Sequence, residues 1–304
     1  MSLAAAGPAR DAQTLRGMGL MTAAMVIVPA MDILAKLLAQ RLPPLEVAFG
    51  RMLVQMLLAL AFAAATGALR TLLPPRFGVH LMRGFCLAGA TLLFFTALRV
   101  MPLTDALAVF FVQPMILTAL SALVLKERVD RRRWLACAVG FLGALVIVRP
   151  SWQVFGIHAL MPLGTACLFS GYLLITRILA GTGTLMATQF VTGLGGTLLL
   201  GAALAVATLL GLEGAAARMP AGSDWLMFLG IGLISLVTHG LVVKAFESAP
   251  AAVLAPLNYL EIISATTLGF LVFGDFPDGP TWAGIVLIVG SGLAIVRREA
   301  GKAA

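Results

Sequence analysis

The sequence predicts an all-α integral membrane protein with ten transmembrane helices, arranged as two inverted five-helix repeats. Three observations predict it. Hydrophobic residues make up 61% of the 304 and charged residues 11%, with a mean hydropathy of +1.03; that is more apolar surface than a water-soluble core can hide, so the bilayer is the solvent. Ten apolar runs are each close to the ~20 residues a spanning helix needs. Finally, Ala97–Arg149 slides by 148 positions onto Ala245–Arg297 without a gap, matching Pro102 with Pro250, Asp130 with Asp278, Trp134 with Trp282, and Arg149 with Arg297. Twelve identities in 53 positions are modest for so apolar a chain. The weight falls on the matched Pro, Asp, Trp and Arg, which apolar composition does not explain.

The elements follow in order. Residues 1–16 read as a disordered cytoplasmic arm. The first repeat, 17–150, holds spans at roughly 18–38, 45–66, 79–98, 103–124 and 133–150. The first run is too long for a cleaved leader and carries Pro29, Asp32 and Lys36, so it reads as a span. The second repeat, 151–298, holds spans at roughly 157–179, 185–210, 224–246, 251–273 and 280–297, and 299–304 form a cytoplasmic tail. Abundant glycine and alanine suit helices whose backbones approach closely in lipid.

Charge sets the topology. The net charge of +8 does not point to nucleic acid, because the cations sit in short gaps between apolar runs. With the N-terminus inside, the cytoplasmic side receives fourteen of them, among them Arg10, Arg16, Arg70, Arg76, Arg83, Lys126, Arg131 to Arg133, Arg177 and Arg297; the outer side receives Arg41, Arg99, Arg149 and Arg218. The positive-inside rule places both termini in the cytoplasm of a bacterial inner membrane. Five spans per copy is an odd number, so the second copy enters upside down. The loop KERVDRRR (126–133) is basic whereas its counterpart GDFPDGPT (274–281) carries two acids and no cation, as opposite membrane faces require. Inverted repeats recur in secondary transporters, where two bundles rock about a midplane site.

Ionisable residues at membrane depth cost about 2.5–3.5 kcal/mol each on insertion scales, so they face a cavity or a partner. Asp32 and Lys36 are four apart on one helical face and read equally as an internal salt bridge or as a substrate site. Arg51 lies at similar depth, so the three form a candidate charged cluster toward the outer side. Gln113 and Glu261 occupy equivalent repeat positions near mid-span. Asn258 lies one turn before Glu261, with Tyr259 beside it, and Phe110 is the counterpart of Asn258. Glu261 is a candidate site for a coupling proton or cation, weighed evenly against a hydrogen-bonded structural carboxyl. His239 reads as a packing histidine rather than a relay. Asp105 and Arg99, and Lys244 and Glu247, read as local pairs near helix ends. Pro114 and Pro256 release backbone carbonyls and permit bends. Cys86, Cys137 and Cys167 read as buried inert thiols, and no metal site is expected.

No HExxH, GxSxG or Walker loop is present, and no nucleophile and base are paired at one depth. The expectation is neither an enzyme nor a cofactor protein, with gradients as the driving force. The block LVLKERVDRRRWLACAVGFLGALVIV (123–148) and its partner in the second repeat resemble the EamA-type ten-helix members of the drug/metabolite transporter superfamily. That resemblance implies two EamA repeats, an acidic residue closing the fourth span (here Glu127, with Asp275 in the second copy), and cargo drawn from amino acids, vitamins and other polar metabolites. The segments 31–51, VVKAF (242–246), APLNYLE (255–261) and FGDFPD (273–278) look like the branch of S-adenosylmethionine uptake carriers. The reading is a secondary transporter for a small polar zwitterion or cation, working by alternating access as a monomer or homodimer, through Glu261, Asn258, Tyr259, Gln113, Phe110, Asp32, Lys36 and Arg51. A lipid-headgroup flippase or an intramembrane enzyme is the alternative.

Overall fold

The computed structural model describes residues 7–124, 153–179, 181–249 and 260–287 continuously, together with 135, 138–139, 141–143, 145–146, 254, 257–258 and 289–290. The helices with defined bounds are α1 (Gly7–Ala39), α2 (Pro44–Ala65), α3 (Phe77–Leu98), α4 (Leu103–Phe110), α5 (Gln113–Val124), α6 (Met161–Ile178), α7 (Leu185–Leu209), α8 (Ser223–Ser248) and α9 (Leu260–Phe273). Among the described residues there is no strand. Seven helical stretches are long and apolar enough to cross a bilayer, counting Leu103–Val124 as one and α6 as the body of Gln153–Ile178. Of the expected fifth span only 135, 138–139, 141–143 and 145–146 are described, and of the tenth 280–287 and 289–290, while Glu127 and Asp130 lie outside the described residues.

Local sequence explains where these helices begin and break. Proline at the first position of α2 is preset for helix, since its missing N–H would find no partner there anyway. Thr184 caps α7, its hydroxyl accepting from Ala187 N at 3.1 Å. The fourth span is discontinuous: Pro114 has no N–H to continue the ladder, and the chain turns through Phe111 and Val112 before α5 resumes. Ser170 of α6 donates across to the Gln113 carbonyl at 3.1 Å. Most other intramembrane hydroxyls donate to the carbonyl one turn back in their own helix, as Thr165 and Thr238 do, so they cost little in lipid.

The helices pack in reciprocal pairs. α1 runs beside α8, and α3 beside α6; α2 meets α7 at the centre; α3 also meets α7, and α2 meets α8; α1 packs on α9, and α5 on α6. Two glycines make close crossings at equivalent repeat positions. A Cβ on Gly84 of α3 would stand 2.5 Å from the Thr192 carbonyl of α7, and one on Gly232 of α8 would stand 2.3 Å from Val54 Cγ1 of α2. Gly232 follows Gly84 by 148 positions, so the repeat offset extends back into α3 and α8.

One end of the bundle, where α1 finishes and α2 and α4 begin, is tied by polar contacts. Lys36 Nζ lies 2.7 Å from Asp275 Oδ2 and 4.5 Å from the Phe273 ring centroid. Thr281 donates to Asp105 Oδ1 at 3.2 Å, while Asp278 accepts from Thr281 N at 2.9 Å. Arg41 meets Asp224 at 3.3 Å, and Glu46 accepts from Arg218 N at 2.9 Å. At the opposite end of α8, Lys244 and Glu247 form an exposed pair at 2.7 Å.

Several expectations change. Lys36 bridges to Asp275 rather than to Asp32, because its side chain follows the α1 end toward the acidic loop after α9. Arg83, grouped by sequence with the cytoplasmic loop cations, is inside α3 and 1% exposed, held by Thr192, by Thr176 at 3.5 Å and by the Thr188 carbonyl at 2.8 Å. Cys167 is exposed and Cys86 half-buried rather than buried, and Cys137 lies outside the described residues.

Candidate functional site

α2 delivers Arg51 to the middle of the bundle, where it is 2% exposed. Its Nε donates to Ser235 Oγ at 3.1 Å, one Nη to Thr91 Oγ1, and the other meets His239 Nε2 at 2.8 Å. A guanidinium has five N–H donors and no acceptor, so His239 accepts through Nε2 and is neutral, with its proton on Nδ1. That nitrogen lies 3.3 Å from the Tyr172 hydroxyl. Thr91 and Ser235 are free to accept because their own protons go elsewhere, to the Leu87 carbonyl at 2.8 Å and to Gln55 Oε1 at 2.8 Å. Arg83 lies over the Tyr172 ring, 5.4 Å from its centroid. A polar network thus runs from Gln55 through Ser235, Arg51 and His239 to Tyr172, joining α2, α3, α6 and α8.

Arg51 opens onto a cavity among α1, α3, α4, α5, α6, α8 and the start of α9, with about 970 Å³ of atom-free space including its open side. Its wall includes five repeat-related pairs: Ala90 and Thr238, Thr91 and His239, Phe94 and Val242, Phe110 and Asn258, Gln113 and Glu261 all line it, each pair 148 positions apart. The copies have diverged in one direction. In four of the five pairs the later residue is the more strongly hydrogen-bonding or charged one. The first repeat, joined by Phe169 of α6, supplies aromatic rings instead, with centroids 6.0 Å apart for Phe94–Phe110 and 5.5 Å for Phe110–Phe169.

Of the residues singled out in the sequence, Asp32, Arg51, Phe110, Gln113, Asn258 and Glu261 line this one cavity. Lys36 does not; it stands toward the tied end with Asp275. Tyr259 lies outside the described residues. Asp32 and Glu261 are 2% and 7% exposed, and among the described residues neither carboxylate has an ion pair or hydrogen-bond partner. Gln113 Nε2 is buried without a partner. Sequence reasoning missed Thr91 as a partner of Arg51, gave His239 only a packing role, and missed the Phe94 and Phe169 wall. Carrying the 148-residue slide back into the third and eighth spans would have exposed the Thr91/His239 pair. Among the described residues, no three His, Cys, Asp or Glu side chains are grouped to hold a metal ion.

The EamA-like transporter family matches this chain twice, over residues 15–149 and 156–297. The chain belongs to that family. Similar proteins include the riboflavin transporter of Rhizobium johnstonii (strain DSM 114642 / LMG 32736 / 3841), 31% identical over 264 residues that cover 84% of this chain and 82% of the relative. Another is the S-adenosylmethionine uptake transporter of Rickettsia felis (strain ATCC VR-1525 / URRWXCal2), 27% identical over 285 residues and 94% of each chain. A solved crystal structure superposes with a TM-score of 0.64 at 18% identity, covering 95% of this chain and 98% of that one, which establishes likeness of fold. This EamA-family protein is therefore a multi-pass membrane protein and a small-molecule transporter, not an enzyme.

Proposed function

We propose that the protein is a secondary transporter of the bacterial inner membrane, built as two inverted five-helix repeats with both termini cytoplasmic, and that it carries a small polar metabolite through the Arg51 cavity by alternating access. The observation that carries this reading is the set of repeat-related pairs in the cavity wall. Two further features support it. Exchanging the halves turns the α1–α8 contact into the α6–α3 contact, α2–α8 into α7–α3, and α1–α9 into α6 with the fourth span, while α2–α7 maps onto itself. The fourth span is broken at Phe111–Val112 beside the cavity, as in transporter sites built at discontinuous helices. Riboflavin and S-adenosylmethionine, named for two relatives, are both polar metabolites.

Glu261 is the proposed coupling group, taking up a proton on one side and releasing it on the other; Asp32, Arg51, Asn258, Gln113 and Phe110 contact cargo, with Tyr259 beside them and Lys36 at the outer closure. In proteoliposomes, Glu261→Gln is expected to abolish uptake driven by a pH gradient while sparing substrate exchange. Gradient-driven uptake at the wild-type rate in that variant removes Glu261 from the coupling step.

A further inference from the structure

The cavity combines an aromatic cluster with buried polar groups, and the combination is specific enough to name what fits it. Phe94, Phe110 and Phe169 line it with their rings. In the same lining, Arg51 has committed three of its five N–H donors to Ser235, Thr91 and His239, leaving two, and no carboxylate of the described residues lies within ion-pair distance. Gln113 Nε2, on a side chain 4% exposed, has no acceptor. Asp32 and Glu261 bring acceptors without donors. Unmet donors and unmet acceptors therefore border the same space as the aromatic cluster.

We propose that the cavity binds a planar nitrogen heterocycle with a mixed donor–acceptor edge, its ring face against Phe94, Phe110 and Phe169 and its edge meeting Arg51, Gln113 and the two carboxylates. The inference rests on the reading of this cavity as the transport site. An aliphatic amino acid would satisfy the polar groups and leave the aromatic cluster with nothing to stack on. An apolar aromatic guest would bury Arg51 and Gln113 donors unpaired, the costlier error in a dry site. A heteroaromatic ring with ring nitrogens, carbonyls and N–H groups in one plane meets the rings and the polar groups at once, since stacking uses its face and hydrogen bonding its rim.

The test uses the purified full-length protein, with riboflavin and adenosine as heterocyclic probes and leucine, lysine and malate as non-aromatic ones. Dissociation constants come from calorimetric titration and ligand-induced rises in melting temperature, and uptake of the same compounds is measured separately in proteoliposomes. At least one heterocycle is expected to bind. Phe169→Ala is expected to weaken it about tenfold, as loss of one aromatic stacking partner predicts, with Phe169→Leu as the volume-keeping variant if the alanine form does not fold. Binding confined to non-aromatic probes, binding of none of the five compounds, or heterocycle affinity unchanged in the Phe169 variants overturns the proposal. Uptake of a non-aromatic probe would at the same time leave the transport reading standing. A heterocycle that binds as expected but never enters the liposomes sustains the proposal and overturns the transport reading instead.

Discussion

The Arg51–His239 contact allows a quantitative test of how the two halves are joined at the cavity. Arg51 belongs to α2 and His239 to α8, and their nitrogens are 2.8 Å apart. A hydrogen bond from a charged donor contributes about 1.5–3 kcal/mol in soluble proteins, whereas interhelical bonds in a membrane protein average about 0.6 and reach about 1.7 kcal/mol. Burial and a short contact place this one toward the upper part of the membrane range, at about 1–1.7 kcal/mol. The perturbation is a double-mutant cycle of Arg51→Lys and His239→Phe. Lysine keeps the charge but cannot reach Ser235, Thr91 and His239 together, and phenylalanine keeps the ring against Tyr172, whose centroid lies 5.7 Å from that of His239. Unfolding in mixed micelles, followed by circular dichroism, gives the four stabilities. A coupling energy of about 1–1.7 kcal/mol is expected; additivity within about 0.3–0.5 kcal/mol, the range for independent sites, would refute the assignment of His239 as an acceptor for Arg51.

Two other substitutions test the packing. Gly84→Ala is expected to lower the melting temperature more than Gly232→Ala, because the first Cβ meets the Thr192 backbone carbonyl and the second meets the movable Val54 side chain; overpacking of this kind costs about 1–3 kcal/mol, and the opposite ranking in thermal unfolding would contradict the argument. Asp275→Asn removes the charge opposite Lys36 at the tied end, so amide hydrogen exchange should speed up across 274–283, and exchange at the wild-type rate would show that the ion pair does not hold that loop.

Much of the architecture was legible because lipid enforces it. Apolar runs of spanning length had to become helices, since no other unpaired segment satisfies its backbone in hydrocarbon, and the proline at 114 marked where the fourth span would break. Equivalence of Gln113 and Glu261 was legible too, because an ungapped offset of 148 survives in that block. The partner of Lys36 was not. A helical spacing of four pointed to Asp32, but the choice of Asp275 depends on how a loop 239 residues away folds over the end of α1. Arg83 misled for a related reason. Cations near the ends of apolar runs usually face water, and only the three threonine positions gathered from α6 and α7 make a dry site for this one tolerable. The aromatic wall was hidden because seventeen phenylalanines in an apolar sequence carry no positional signal until helices are assembled.

The divergence between the paired wall positions has a consequence for how cargo is oriented. On the proposed alternating-access reading, a chamber whose paired positions still matched would hold a bound molecule equally well after a half-turn about the axis relating the copies. Because Ala90 is paired with Thr238, Phe110 with Asn258 and Gln113 with Glu261, that equivalence is lost, and an amphipathic passenger would keep one pose whichever mouth is open.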